Sequence, residues 1–201
     1  MEGYIQISLG DLLIELGEER VKSILSKFSC PLNKDVERFL LQQALDFARQ
    51  GLAPTHLVFT SAQTLAGYFT LTMKSFFVGE GEEVSKTYYK KISKFGTDGS
   101  VNGGCVIPAP LIAQLSKNFA DNADGLITGG ELLKMACDKI AMCQRELGGK
   151  VAYLECEDKP KLLDFYRANG FVVFGRRMLD REDQEHMTGQ YLLQLLKIIK
   201  N

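Results

Sequence analysis

The spacing of apolar positions changes along the chain, and each change predicts a different element. In residues 9–28, Leu12, Leu13, Leu16, Ile24, Leu25 and Phe28 stand among charges, which predicts one or two short helices. Asn33 can cap a second helical run, where Val36, Phe39, Leu40, Ala44 and Phe47 recur at helical spacing and Gly51 marks the stop. The period then falls to two. THLVFT (55–60) and LAGYFTLTM (65–73) are rich in β-branched and aromatic residues around SAQT, which predicts a hairpin whose second strand continues to about Val78.

Residues 79–104 are the least regular stretch and read as an insertion or flap. Within it SKTYYKKISKF is helical by spacing, with Lys86, Lys90 and Lys94 on one face and Tyr88, Ile92 and Phe95 on another. VIPAPLIAQLSKN (106–118) predicts a strand with prolines at its start. After the loop FADNADGLITG, a helix over 130–147 carries a core stripe of Leu132, Leu133, Ala136, Ile140, Cys143 and Leu147, and Gly148-Gly149 ends it. VAYLEC (151–156) is a strand, KPKLLDFYRAN a helix with Pro160 in its first turn, and GFVVFG a strand. QYLLQLLKII (190–199) is read as a strand antiparallel to 171–179. The sum is one α/β domain over residues 1–201, with a mixed, mostly antiparallel central sheet flanked by helices.

Composition narrows the classes. Hydrophobic residues make up 45% and charged residues 24%, values of an ordinary globular protein, and the net charge of -1 gives no global pull toward nucleic acid. The five cysteines are scattered and only two histidines are present, so no metal site is expected. No apolar run approaches the roughly 18 residues of a membrane span, and a cytoplasmic location is expected.

Two motifs carry chemistry. The loop Gly125-Leu126-Ile127-Thr128-Gly129-Gly130, between a strand and a helix, lets backbone N–H groups approach an anion at the helix N-terminus. Tyr166 in FYRANGF, one turn before a helix end, can project toward the neighbouring strand ends. A tyrosine hydroxyl, with a reference pKa of about 10 against about 8.5 for a thiol, can act as general acid to a leaving sulfur. Glu155 and Glu157, two apart in the strand, are the candidate bases.

The order and spacing of these motifs, over roughly residues 30–199, resemble the GNAT superfamily of acyl-CoA N-acyltransferases. The resemblance implies that Leu115 and Lys117 lie along pantetheine, that Gly125, Leu126, Ile127, Thr128, Gly129 and Gly130 hold the diphosphate of acetyl-CoA, and that Tyr166 lies near the thioester sulfur. Asp124 stands where the family has Gln or Arg, Ile127 replaces its middle glycine, and Lys159 stands where an asparagine is frequent. The N-terminal half, from FSCPLNKDVERFLLQQALDF to LAGYFTLT, looks like the subgroup of toxin-type acetyltransferases.

The leading reading is an N-acetyltransferase that moves an acetyl group directly from acetyl-CoA to a primary amine of a small molecule or peptide. The alternatives are a toxin-type enzyme acting on aminoacyl-tRNA and a non-catalytic acyl-CoA-binding module. Members of the toxin subgroup tend to be basic, which this chain is not, so nucleic acid is the less favoured partner. Its candidate contact is the stripe Lys86/Lys90/Lys94 with Lys91, Tyr88 and Tyr89. A homodimer through the C-terminal strand is a further implication of the resemblance.

Overall fold

The structure, a computed structural model, describes residues 3–79, 84–99, 103–179 and 190–199. Parts of the 79–104 stretch (80–83 and 100–102) and the 180–189 loop lie outside the described residues.

The described residues hold eight strands: β1 Tyr4–Ser8, β2 Thr55–Thr60, β3 Leu65–Gly79, β4 Thr97–Asp98, β5 Gly104–Lys117, β6 Val151–Cys156, β7 Val172–Met178 and β8 Tyr191–Ile198. Hydrogen-bonded neighbours follow the order β1-β2-β3-β5-β6-β8-β7, with β4 on β5 outside this path. The pairs β1–β2, β2–β3, β4–β5, β6–β8 and β7–β8 are antiparallel, and β5–β6 is parallel, with Leu111 opposite Tyr153. The fold is therefore mixed α/β with a mostly antiparallel sheet flanked by helices. By contacts the chain forms two compact units, Met1–Thr72 with Ala113–Ala136 and Met73–Ile112 with Cys137–Asn201.

In the first unit, helices α1 Leu9–Leu16 and α2 Glu18–Leu25 are followed by α3 Lys34–Arg38, a π-turn over Phe39–Gln43 and α4 Ala44–Gln50. Asn33 caps α3 by accepting from Asp35 N–H, and Gly51 closes α4 in a left-handed conformation. Their apolar faces meet β2 and β3 in one core, which includes Leu9, Val21, Phe28, Leu40, Leu57 and Tyr68. The buried Tyr68 hydroxyl donates to Val36 O at 2.5 Å, so burial of the ring does not strand its polar end. At Gly67 on β3 the backbone of β5 comes close. A Cβ there would sit 2.7 Å from Ser116 O and 3.2 Å from Lys117 Cα. Both are main-chain atoms that cannot rotate away. Gly67→Ala is expected to cost about 2 kcal/mol as an overpacking change, read as a lower urea midpoint at unchanged slope.

The second unit has its own core, in which Phe76, Tyr153 and Phe174 stack with ring centroids 4.6 and 4.8 Å from Phe76. Helix α5 Lys86–Ile92 closes over it with Ile92 buried and Tyr88, Tyr89 and Phe95 packed down, while Lys86, Lys90, Lys91 and Lys94 are exposed. Helices α6 Gly129–Leu147 and α7 Pro160–Ala168 complete the chain.

Four details differ from the sequence reading. β1 was not expected; its five residues alternate as YIQIS but are too few to stand out by periodicity. β5 begins at Gly104, so Pro108 and Pro110 lie inside it. They fall between the β4 ladder, which ends at Val106, and the β6 pairing at Leu111. In α6 the core stripe of Leu132, Leu133, Ala136 and Ile140 continues through Gln144, not through Cys143 and Leu147, which are exposed. Gln144 is buried because its Nε2 donates to Val151 O at 2.9 Å and so ties the helix end to β6. Finally, β8 pairs with β7 as expected but also with β6, and so lies between them.

Candidate active site

The glycine loop and its neighbours belong to the first unit. β5 ends at Lys117, whose Nζ donates to Asp124 O at 2.7 Å and lies 5.4 Å over the Phe119 ring. Leu115 is half-buried on the same strand. Ala120–Gly125 forms a tight helical turn, Ile127 is buried, and Asp124 is exposed. Thr128 then caps α6 reciprocally with Glu131. Glu131 Oε2 accepts from Thr128 N–H at 2.9 Å and from Thr128 Oγ1 at 2.7 Å, and Thr128 Oγ1 accepts from Glu131 N–H at 3.2 Å. This is a capping box, and the hydroxyl first, then the amide, draw the Glu131 carboxyl below its ordinary range. Glu131 was missed in the sequence, although Thr-Gly-Gly-Glu has the Ser/Thr-x-x-Glu form that marks such a box.

For a diphosphate the fit has two sides. Gly129 and Gly130 open α6 ahead of its first turn bond, Leu132 N–H to Thr128 O at 3.1 Å, so their N–H groups have no partner within the helix. Lys117 adds a positive charge beside the loop. Against this, the Glu131 carboxylate already occupies the Thr128 N–H.

Tyr166 belongs to the second unit, and the FYRANGF phrase turns out to be a helix-ending device. Gly170 N–H donates to Arg167 O at 2.9 Å and Phe171 N–H to Tyr166 O at 3.0 Å, the two bonds of a Schellman motif. The motif needs a left-handed residue at Gly170, where φ is 82°. Its usual apolar contact is Tyr166 against Phe171, ring centroids 5.9 Å apart, and Phe165 lies 5.1 Å away on the other side. The backbone motif therefore holds the tyrosine ring itself. Burial, and then the nearby Cys156, push the Tyr166 phenol above its ordinary range, so it keeps its proton. Cys156 is likewise pushed up to about 12 by burial, with Asp158 and Glu157 adding to the shift, and is not a thiolate.

Glu155 and Glu157 do not share a strand face, because β6 ends at Cys156. Glu157 lies beyond it and pairs with Lys159 Nζ at 2.7 Å. Glu155, 10% exposed, is enclosed by four strands. Its Oε1 takes the Tyr153 hydroxyl, Lys74 Nζ at 3.2 Å and Gln194 Nε2 at 3.4 Å, and its Oε2 takes Arg177 Nε at 2.9 Å. Burial opposes the charge on Glu155, but the Tyr153 hydrogen bond and the charges of Lys74 and Arg177 outweigh it and hold the carboxyl below its ordinary range. Burial and the same hydrogen bond raise Tyr153. Sequence reading missed Lys74, Tyr153, Arg177 and Gln194, which come from separate strands.

The structure thus gathers Lys117 with the 124–130 loop in one unit, and Tyr166 with the end of β6 in the other. Among the described residues no group of three or more His, Cys, Asp or Glu side chains could hold a metal ion, and no helix is long and apolar enough to cross a membrane.

No protein-family model matches the chain, and no curated protein does. Solved structures do match. AtaT in complex with acetyl-methionyl-tRNAfMet is 16% identical with a TM-score of 0.62, over 95% of this chain and 94% of that one. A tyrosine-to-phenylalanine mutant of KacT is 15% identical with a TM-score of 0.61, over 96% and 94%. The corresponding kind of AtaT mutant, bound to the C-terminus of the antitoxin AtaR and acetyl-CoA, is 14% identical with a TM-score of 0.57, over 96% and 92%. In fold this chain is similar to the AtaT and KacT toxins, and the mixed, mostly antiparallel α/β architecture expected from the GNAT resemblance is the one it has.

Proposed function

We propose that the chain is an acetyl-CoA-dependent N-acetyltransferase of the toxin type, and that its acceptor is the free α-amine of an aminoacyl-tRNA. This replaces the small-molecule or peptide amine favoured on sequence alone. The observation that carries the reading is the fold likeness to AtaT, captured with acetyl-methionyl-tRNA, which extends over more than nine-tenths of both chains. The tyrosine held at the end of α7 agrees with it. The weak net charge of -1, which had counted against nucleic acid, bears on the whole surface and not on a local site.

In this reading the acceptor nitrogen attacks the thioester carbonyl, a C–N bond forms and the C–S bond breaks. Tyr166 donates its phenolic proton to the departing sulfur, and the proton lost by the acceptor nitrogen returns through solvent to the phenolate. The phenol, raised above its ordinary range by burial, is present at neutral pH as the protonated form that a donor requires. The N–H groups of Gly129 and Gly130, with Lys117, hold the diphosphate of the donor. A neutralising antitoxin, as captured on AtaT, belongs to the same reading as a partner class.

The test is transfer of labelled acetyl from acetyl-CoA to a panel of aminoacyl-tRNAs, free amino acids, peptides and polyamines. Label is expected on one or more aminoacyl-tRNAs, in an alkali-labile ester-linked form. Label only on peptides or small amines would restore the earlier acceptor, and no label with any acceptor would leave an acyl-CoA-binding module.

A further inference from the structure

The strand order runs from β1 to β7, and these two outer strands are finished differently. β7 has a register shift between Val173 and Gly175 and an exposed Arg176, devices that keep other strands off an edge. β1 has neither. Among the described residues it pairs with β2 alone, and Ile5, Gln6, Ile7 and Ser8 include no charge, proline or glycine. Along these residues, alternate main-chain N–H and C=O groups point away from β2.

The same strand borders a cavity of about 860 Å³, lined wholly by residues of the first unit. Pockets that hold ligands span about 300–1,000 Å³. The wall is apolar and includes Ile5, Ile7, Leu12, Ile24, Phe59 and Leu126. Ile5 remains 48% exposed. Ile5 and Ile7 are two apart and so share a strand face. A strand added beside β1 would place every second side chain on that face, next to both isoleucines and against the cavity.

Two charged residues line the same cavity, Lys27 and Asp121. Asn118 joins the segments that carry them: its Nδ2 donates to Lys27 O at 2.9 Å and its Oδ1 accepts from Ala120 N–H at 3.0 Å. Both are exposed, and among the described residues neither takes part in an ion pair.

We propose that the outer edge of β1 and this cavity form one docking site for an extended segment of another protein. The segment adds to the sheet as a strand beside Ile5–Ser8 and sets large apolar side chains, at every second position, against the cavity wall. An acidic residue matches Lys27 and a basic residue matches Asp121. A second copy of this chain is the poorer occupant. The β1 side chains that face this way are Ile5 and Ile7, and in a second copy they line that copy's own cavity. The inference does not depend on the acetyltransferase reading.

The probes are two fluorescein-labelled peptides of about nine residues, long enough for one strand, each alternating isoleucine with threonine. One begins with glutamate and ends with lysine, and the other has these reversed, so that either strand direction is served. Anisotropy is measured with the full chain, and each variant is first checked for a cooperative melt like the parent's. Saturable binding of at least one peptide is expected. N-methylation of one alternate set of its amides should weaken binding about ten-fold or more, and N-methylation of the other set should leave it unchanged. Ala62→Trp puts a large ring at an exposed position of the cavity lining and should weaken binding about ten-fold. Lys27→Glu should weaken it by about the same factor, and a lysine in place of the peptide's glutamate should restore it.

Failure of both peptides to bind overturns the proposal. So does an equal effect of the two methylation sets, because a peptide held as a strand is sensitive on one side only. Binding unchanged in both Ala62→Trp and Lys27→Glu would put the peptide elsewhere and overturns it as well. A dimer of the parent alone in sedimentation, dissociated by Ile5→Lys, would make the occupant a second copy and likewise sink the proposal.

Discussion

Tyr166→Phe is expected to lower kcat by roughly 10²–10³-fold, with acetyl-CoA affinity and melting temperature within error of the parent. The ring makes the contacts that hold α7 to the start of β7, against Phe165 and Phe171, and a phenylalanine keeps them. The Schellman bonds involve the backbone of residue 166 and survive as well. Only the hydroxyl is lost. If that hydroxyl donates the proton to the departing sulfur, rapid-quench measurement of the first turnover falls by the same factor as kcat. A change in KM alone, or a silent substitution, would remove Tyr166 from the chemistry. A large fall in melting temperature would mean that the hydroxyl contributes to stability.

Asn118→Leu is expected to destabilise the protein by about 4 kcal/mol, or about 10 °C in Tm for a chain of this size. Asn118 is 3% exposed and uses its whole side-chain amide. Oδ1 accepts from Ser29 N–H and Ala120 N–H, each at 3.0 Å, while Nδ2 donates to Lys27 O at 2.9 Å and Leu65 O at 3.0 Å. Those four backbone groups belong to the segment after α2, the start of β3 and the turn that leads to the glycine loop. Leucine fills the volume but leaves four backbone groups unpaired. Asn118→Asp separates this from a packing effect, because it keeps the two accepted bonds and turns the other two into carboxylate-to-carbonyl repulsion. The loss is read by chemical denaturation, and Asp should fall between Asn and Leu or below both.

Elements with strong local signals were legible in the sequence. The helix after Asn33, the 55–79 hairpin, the β6 strand and the α7 helix with Pro160 in its first turn each announce themselves through period, cap or turn residue, whereas QYLLQLLKII fits strand or helix by period and reads as a strand only because 171–179 needs a neighbour. FYRANGF was legible as a unit because its Gly and Phe are local requirements of ending a helix beside a tyrosine. Contacts that depend on chain segments meeting across the sheet were not. Lys74 and Glu155 are 81 positions apart, and Glu155 and Gln194 are 39 apart, so nothing near the candidate base Glu155 in sequence shows that it is enclosed. Asn118 looks like the polar stop after a strand, and nothing near it in sequence reveals its partners. Strand order is likewise a long-range property. The capping box is legible in Thr-Gly-Gly-Glu, although the two glycines between its members give the stretch the look of a loop.

The place of β8 between β6 and β7 has a consequence for how the chain is made. β6 and β7 leave the ribosome first, as strands whose partner for both does not yet exist, since Leu195 of β8 pairs with Leu154 on one side and Val173 on the other. β6 can already pair with β5, Leu111 opposite Tyr153, but until residues 191–198 emerge its other edge is open and β7, which follows Tyr166, has no partner. The tyrosine is therefore set in place late in synthesis. A nascent or truncated chain that stops short of β8 is expected to be inert and prone to associate through its open edges.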